Sequence, residues 1–178
     1  MTYAAIKTTY NGVNFRSRLE AKWARFFDLM GWKYEYEPYD LNGWIPDFIL
    51  FGEDEILVEV KPFSKFEDFD TNKLFNATKG TEKEVKELLL LGTSIFEPQC
   101  FYECASIGWL AENHDNEKWF SNAVMNNWKN HYGFFHAEGS WLDRITGIYD
   151  GDHCLNVPSY QEIKSIWNQA GSSVQWRG

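Results

Sequence analysis

Two short apolar bursts, Phe48-Ile49-Leu50-Phe51 and Ile56-Leu57-Val58, are separated by Gly52-Glu53-Asp54-Glu55. Each burst is too short to sustain a helix, and the glycine-led acidic break is turn chemistry. The stretch therefore reads as a β-hairpin with strands at 45–51 and 55–61. Pro46-Asp47 opens the first strand, and Glu59-Val60-Lys61 closes the second just before Pro62. Side chains alternate across a strand, so Glu59 and Lys61 share one face while Val58 and Val60 take the other. Antiparallel pairing about a turn at 52–54 sets position 47 opposite 59. Two carboxylates and a lysine thus converge at one end of the hairpin.

Carboxylates on adjacent strands can share one hard cation such as Mg²⁺ or Mn²⁺, with the Val60 backbone carbonyl as a further oxygen ligand. Lys61 beside such an ion is positioned to orient or deprotonate an attacking water and to offset the charge of a phosphorane. Short Asp…Glu-x-Lys patterns also occur as solvated charges on an open hairpin face, so the flanking elements carry the argument.

Residues 1–14 read as an extended lead-in with a turn at Asn11-Gly12. A helix over 15–30 follows, with Leu19, Trp23, Phe26 and Met30 on one face. Ser17 or Asn14 is placed to cap its start, and Gly31 to end it. Trp32 to Glu37 alternates apolar and charged residues like a half-buried strand, which Pro38 closes. A helix is expected over 64–79, starting late, ending at Lys79-Gly80. The four leucines in Lys86 to Gly92 suit a short strand buried on both faces. Residues 1–92 therefore read αβββαβ, an α/β chain with a mixed, α+β type of sheet. Farther on, strands are expected at 101–110 and 133–136 and a loop at 113–116. A helix is expected over 117–130, from Trp119, Phe120, Val124 and Trp128, and a last helix capped by Ser159 with Glu162 three residues on. At 178 residues the chain fits one domain. Residues 1–95 would form the core, and 96–178 an elaboration packed on it.

The net charge of −9 weighs against a nucleic-acid binder when taken as a sum. Its distribution is more informative. Residues 1–34 carry six basic side chains against Glu20 and Asp28, and residues 35–63 carry eight acidic ones against Lys61 alone. A basic helix beside an acidic hairpin suits a metal site that receives a phosphate backbone, because cations offset the carboxylates. No apolar run approaches a membrane span, and no secretory h-region is visible, so a reduced, cytoplasmic setting is expected.

The three cysteines form no regular framework. Cys100 and Cys104, with His114, His131, His136, His153 or Cys154, lack the tight knuckle of a zinc site, so no structural zinc is expected.

Phe15-Arg16-Ser17-Arg18-Leu19-Glu20-Ala21-Lys22-Trp23-Ala24, Trp32 to Pro38, Ile45-Pro46-Asp47-Phe48 and Val58-Glu59-Val60-Lys61-Pro62 stand in an order and spacing that resemble the PD-(D/E)xK nuclease superfamily. The similarity is greatest to its small, phage-borne, restriction-endonuclease-like branch and covers residues 10–92. Trp167 to Trp176 is more loosely similar to the tails of phage members, and residues 100–155 carry no family likeness. The resemblance implies a Mg²⁺- or Mn²⁺-dependent DNA endonuclease working in a host cytoplasm, often as a homodimer. It implies Asp47 and Glu59 as metal ligands, Lys61 as the catalytic lysine, and Glu20 as the acidic residue that completes the site. Glu20 otherwise reads as an i, i+4 partner of Arg16. Arg16 and Arg18 are candidates for phosphate contacts, and Lys73 and Lys79 for a further residue from the following helix. The alternative is a non-cleaving protein that reuses the fold to bind a host protein, for regulation or against host defence.

Overall fold

In the computed structural model, residues 5–78, 87–98, 103–114, 117–149 and 156–174 are described. Lys79, Cys100, His153 and Cys154 lie outside the described residues. A hairpin of β1 (Thr8–Tyr10) and β2 (Val13–Phe15) turns at Asn11-Gly12, both in the left-handed region. It leads into helix α1 (Arg18–Met30). Ser17 caps α1 by accepting the Glu20 backbone N–H at 3.1 Å. The helix ends at Gly31 (φ 75°), with the Gly31 N–H donating to Asp28 O and the Trp32 N–H to Phe27 O. That reverse turn satisfies the last carbonyls and sends the chain straight into a strand.

Seven strands then form one mixed sheet in sequential order: β3 (Lys33–Tyr36), β4 (Phe48–Phe51), β5 (Glu55–Val60), β6 (Glu87–Leu91), β7 (Ser106–His114), β8 (Glu117–Trp128) and β9 (His131–His136). Every neighbouring pair is antiparallel except β5–β6. The parallel pair needs a crossover, and helix α2 (Thr71–Thr78) lies between the two strands in sequence. Asp70 starts α2 by accepting the Lys73 N–H at 3.1 Å, later than a helix beginning at 64. A single 3₁₀ turn, Phe66–Asp68, precedes it. The order α1–β3–β4–β5–α2–β6 is the αβββαβ series read from the sequence. Leu88 to Leu91 are fully buried, as strands covered on both faces require.

One face of the sheet packs on α1 and on α3 (Tyr160–Ser173), burying Phe48, Leu50, Ile56, Val58, Leu89, Leu91, Met125 and Phe134 against Trp23, Phe26, Phe27 and Trp167. Trp23 and Trp167 meet with ring centroids 4.3 Å apart. The other face holds Ile49, Leu57, Leu88 and Leu90 under Phe69, Leu74 and Ala77. The sheet also curls. Trp32, just before β3, donates its indole N–H to Tyr132 O on the far edge strand at 2.8 Å.

Two expectations for the second half are corrected. Residues 117–130 are not a helix: β8 pairs on both sides. Phe120, Val124 and Trp128 recur every four residues, and four is an even number, so the same spacing fits one face of a strand as well as a helix. Position 114 belongs to β7 rather than to a loop. The second half is thus not packed on the sheet from outside. It supplies three of the sheet's seven strands and the helix that packs on α1.

Candidate active site

Phe48 faces Val58 in the β4–β5 register, so the next pair outward sets Asp47 against Glu59. Their side chains point to the face away from α1, where α2 also lies. Both are buried, at 2% and 7% exposure. The backbone holds this end in place. Glu37 N–H donates to Asp47 O at 3.0 Å, and Lys61 N–H donates to Leu91 O at 3.0 Å, extending β3 and β5 past their last ladder residues.

Each oxygen of the pair has an identifiable partner. Asp47 Oδ2 accepts the Val60 backbone N–H at 2.7 Å, and Asp47 Oδ1 accepts from Arg16 Nη2 at 2.7 Å. Glu59 Oε2 accepts the Trp44 indole N–H at 2.9 Å. The Lys61 ammonium lies 2.5 Å from Glu59 Oε1, 3.2 Å from Val60 O and 3.5 Å from Asp47 Oδ2. Three oxygens nominated from the sequence as cation ligands therefore surround one positive group.

The electrostatics follow from burial and crowding. Burial, and then the Glu59 charge, push the Asp47 carboxyl up to about 6, although Lys61 and the Val60 N–H pull the other way. Burial alone would lower the Lys61 ammonium, but the Asp47 and Glu59 charges outweigh it and raise its pKa. Lys61 is therefore held as a cation between the two carboxylates.

Glu20 stands apart from this group. It is buried at the N-terminus of α1. Its Oε1 accepts from Ser17 Oγ at 2.8 Å, and its Oε2 accepts from Tyr36 Oη at 2.6 Å and from Arg16 N–H at 3.1 Å. It stands three residues after the Ser17 cap but takes the Arg16 N–H rather than the Ser17 N–H that a capping box uses, and its charge raises the Asp47 carboxyl less than burial or Glu59 does. It meets Arg16 through the backbone, not through an ion pair. The Arg16 guanidinium instead bridges Glu37, at 2.7 Å, and Asp47. Among the described residues no group of three or more His, Cys, Asp or Glu side chains is placed to hold a metal. The oxygen set is two carboxylates and one backbone carbonyl.

Of the other candidates, Arg18 lines a groove between α1 and α3. Lys73 is exposed on α2 and makes its contact with Asp70 through its backbone. His136 is buried against Trp119.

Trp44 is the site residue that sequence reasoning missed. It closes a tight turn whose ends, Leu41 and Trp44, exchange backbone hydrogen bonds across Asn42 and Gly43, both at positive φ. The Asn-Gly pair three residues before Pro46 was the available signal, because it marks a reversal that returns the chain to the site. Asn42 Nδ2 also donates to Ala77 O, tying this turn to α2.

Comparisons of the chain with protein-family models, with curated proteins and with solved structures returned no match.

Proposed function

We propose that this protein is a divalent-metal-dependent nuclease that hydrolyses DNA phosphodiester bonds on a restriction-endonuclease-like core. The observation that carries the reading is the seat of the Lys61 ammonium among Glu59 Oε1, Asp47 Oδ2 and Val60 O. An all-oxygen set converging on one cation-sized point suits Mg²⁺ or Mn²⁺. A divalent ion held by Asp47, Glu59 and Val60 O supplies Lewis-acid polarisation and offsets the two carboxylate charges.

The protein's own groups do the rest. With an ion in that seat Lys61 would stand beside it as a cation, placed to steady the negative charge that develops on the phosphoryl oxygens. Trp44 fixes one oxygen of Glu59 and leaves the other free to turn to the ion. Arg16 holds Asp47 Oδ1, outside the seat that Oδ2 helps to form, and its half-exposed guanidinium is placed to meet a substrate phosphate. Glu20 supports the site through the helix cap and Tyr36.

Plasmid, linear, single-stranded and branched DNA, each incubated with Mg²⁺ or Mn²⁺, test this. Cleavage of at least one substrate is expected, with losses of about 10²-fold or more in Asp47→Asn and Lys61→Met. Failure to cut any of them, or undiminished cutting by both variants, would sink the proposal.

One observation favours a second reading. The carboxylates are already satisfied by Arg16, Trp44, Val60 and Lys61, a network complete without a metal. A non-cleaving protein that binds a host factor would keep such a network closed. Calorimetry separates the two: no heat of Mn²⁺ binding at neutral pH, together with no cleavage, selects the second.

A further inference from the structure

We propose that the groove between α1 and α3 is a phosphate-binding subsite, holding a backbone phosphate of the nucleic-acid strand beside the one cut at Asp47 and Glu59. This rests on the nuclease reading and adds a place and a set of residues for the substrate. The groove has a volume of about 400 Å³ and is lined by Arg18, Lys22, Asn168, Gly171, Ser172 and Val174. Two of the six are cations and none is acidic, in a chain whose net charge is −9.

The site cations and the buried Arg144 are matched by carboxylates, whereas the part-buried Arg25 donates to the Tyr10 hydroxyl at 3.1 Å. Arg16 pairs with Glu37 and Asp47, Lys61 with Asp47 and Glu59, and Arg144 with Glu87 and Glu112. Among the described residues, Arg18 and Lys22 have no such carboxylate partner. Lys22 is half-buried, with its ammonium 3.7 Å from the centroid of the Trp167 ring. A ring face compensates a cation only in part, and burial lowers the pKa of this amine. An anion in the groove supplies the missing counter-charge.

The backbone leaves room for that arrangement. A Cβ at position 171 would stand 3.0 Å from Lys22 Cε and 3.2 Å from Nζ, so glycine there keeps the lysine head in its place. The groove also begins at the N-terminal end of α1. Arg16, two residues before Arg18, bonds Asp47 directly. One strand can therefore run from the site along the basic flank of the helix.

The test measures binding of a fluorescent DNA duplex across a salt series in EDTA, and plasmid cleavage kinetics with Mg²⁺. It uses wild type, Arg18→Gln, Lys22→Gln and Gly171→Ala. Each lost phosphate contact reduces the slope of log K against log salt by about 0.9. Arg18→Gln and Lys22→Gln are expected to show that reduction, and a several-fold rise in KM with kcat unchanged. Gly171→Ala, which asks the flexible lysine head to give by only a few tenths of an ångström, is expected to bind and cut like wild type. Thermal melts verify that each variant is folded, and exposed Arg18 serves if Lys22→Gln melts early. Unchanged slopes and KM in folded Arg18→Gln and Lys22→Gln overturn the proposal while leaving the nuclease reading intact. A wild type that neither binds nor cuts DNA overturns both. If Lys22 governs binding of inorganic phosphate but not the DNA slope, the groove takes a free anion and the strand assignment is wrong.

Discussion

Asp47 carries the sharpest chemistry at the scale of single residues, because it is buried beside a second carboxylate. Its folded pKa, about 6, lies above the ordinary 3.8, so between those values the native state binds more protons than the unfolded chain. The stability it contributes is complete below about 3.8 and lost as pH rises through 6. Metal-free wild type is therefore expected to lose more melting temperature than Asp47→Asn between pH 5 and pH 7.5, and saturating Mn²⁺ should remove that difference. Parallel pH profiles in the two proteins would count against the assignment. Trp44 acts on the neighbouring carboxylate. Trp44→Phe keeps the ring and deletes the donor to Glu59 Oε2. Groups that orient metal ligands are typically worth 10- to 100-fold in affinity, so calorimetric Mn²⁺ binding is expected to weaken by about that factor. Unaltered Mn²⁺ affinity would show that Trp44 only fills space.

Helix α1 shows how one element serves both stability and the site. Its start is held by Ser17 and Glu20, its end by Gly31, and its middle by Trp23, whose indole N–H donates to Gly92 O just beyond β6. Glu20 and Tyr36, by accepting the Arg16 N–H, also set Arg16 at the position from which it reaches Asp47. Ser17→Ala removes the cap and one partner of Glu20. A loss of about 1 kcal/mol is expected in urea unfolding, with weaker DNA cleavage because Arg16 loses its anchor. Full activity at reduced stability would separate the cap from the site. The start and end of α1 were legible in the sequence because caps and C′ glycines are local chemistry. The role of Glu20 was not, since its Tyr36 partner comes from a strand 16 positions away.

Across the whole molecule, the curl of the sheet is fastened by residues 143–147. Arg144 N–H donates to Phe134 O on β9, and Arg144 O accepts from Glu53 N–H in the β4–β5 turn. Gly52 permits this approach, since a Cβ there would meet Arg144 O at 1.9 Å. The Arg144 side chain is buried and pairs with Glu87 on β6 and Glu112 on β7. Arg144→Met would strand two mostly buried carboxylates. Breaking such a pair costs about 3–5 kcal/mol, which for a chain of this length is a fall of roughly 10 °C in melting temperature. A change of only a degree or two in a thermal melt would show that the carboxylates find water instead.

Nothing in the sequence around Arg144 signals this, because its partners lie 57 and 32 residues away. The sequence by itself determined the hairpin, the pairing of Asp47 with Glu59 and the side on which Lys61 lies, since alternation and a short turn leave little freedom. It also determined α1, β6 and the cap of α3. Only the tertiary structure decided that residues 117–128 are a strand, because a four-residue spacing is shared by both periods and pairing with β7 and β9 selects between them. It likewise decided that Glu20 binds Tyr36 and the Arg16 N–H, that Trp44 steadies Glu59 and that Lys22 lies over the Trp167 ring. Each of those depends on which distant segments the curled sheet brings together, which local patterning does not encode.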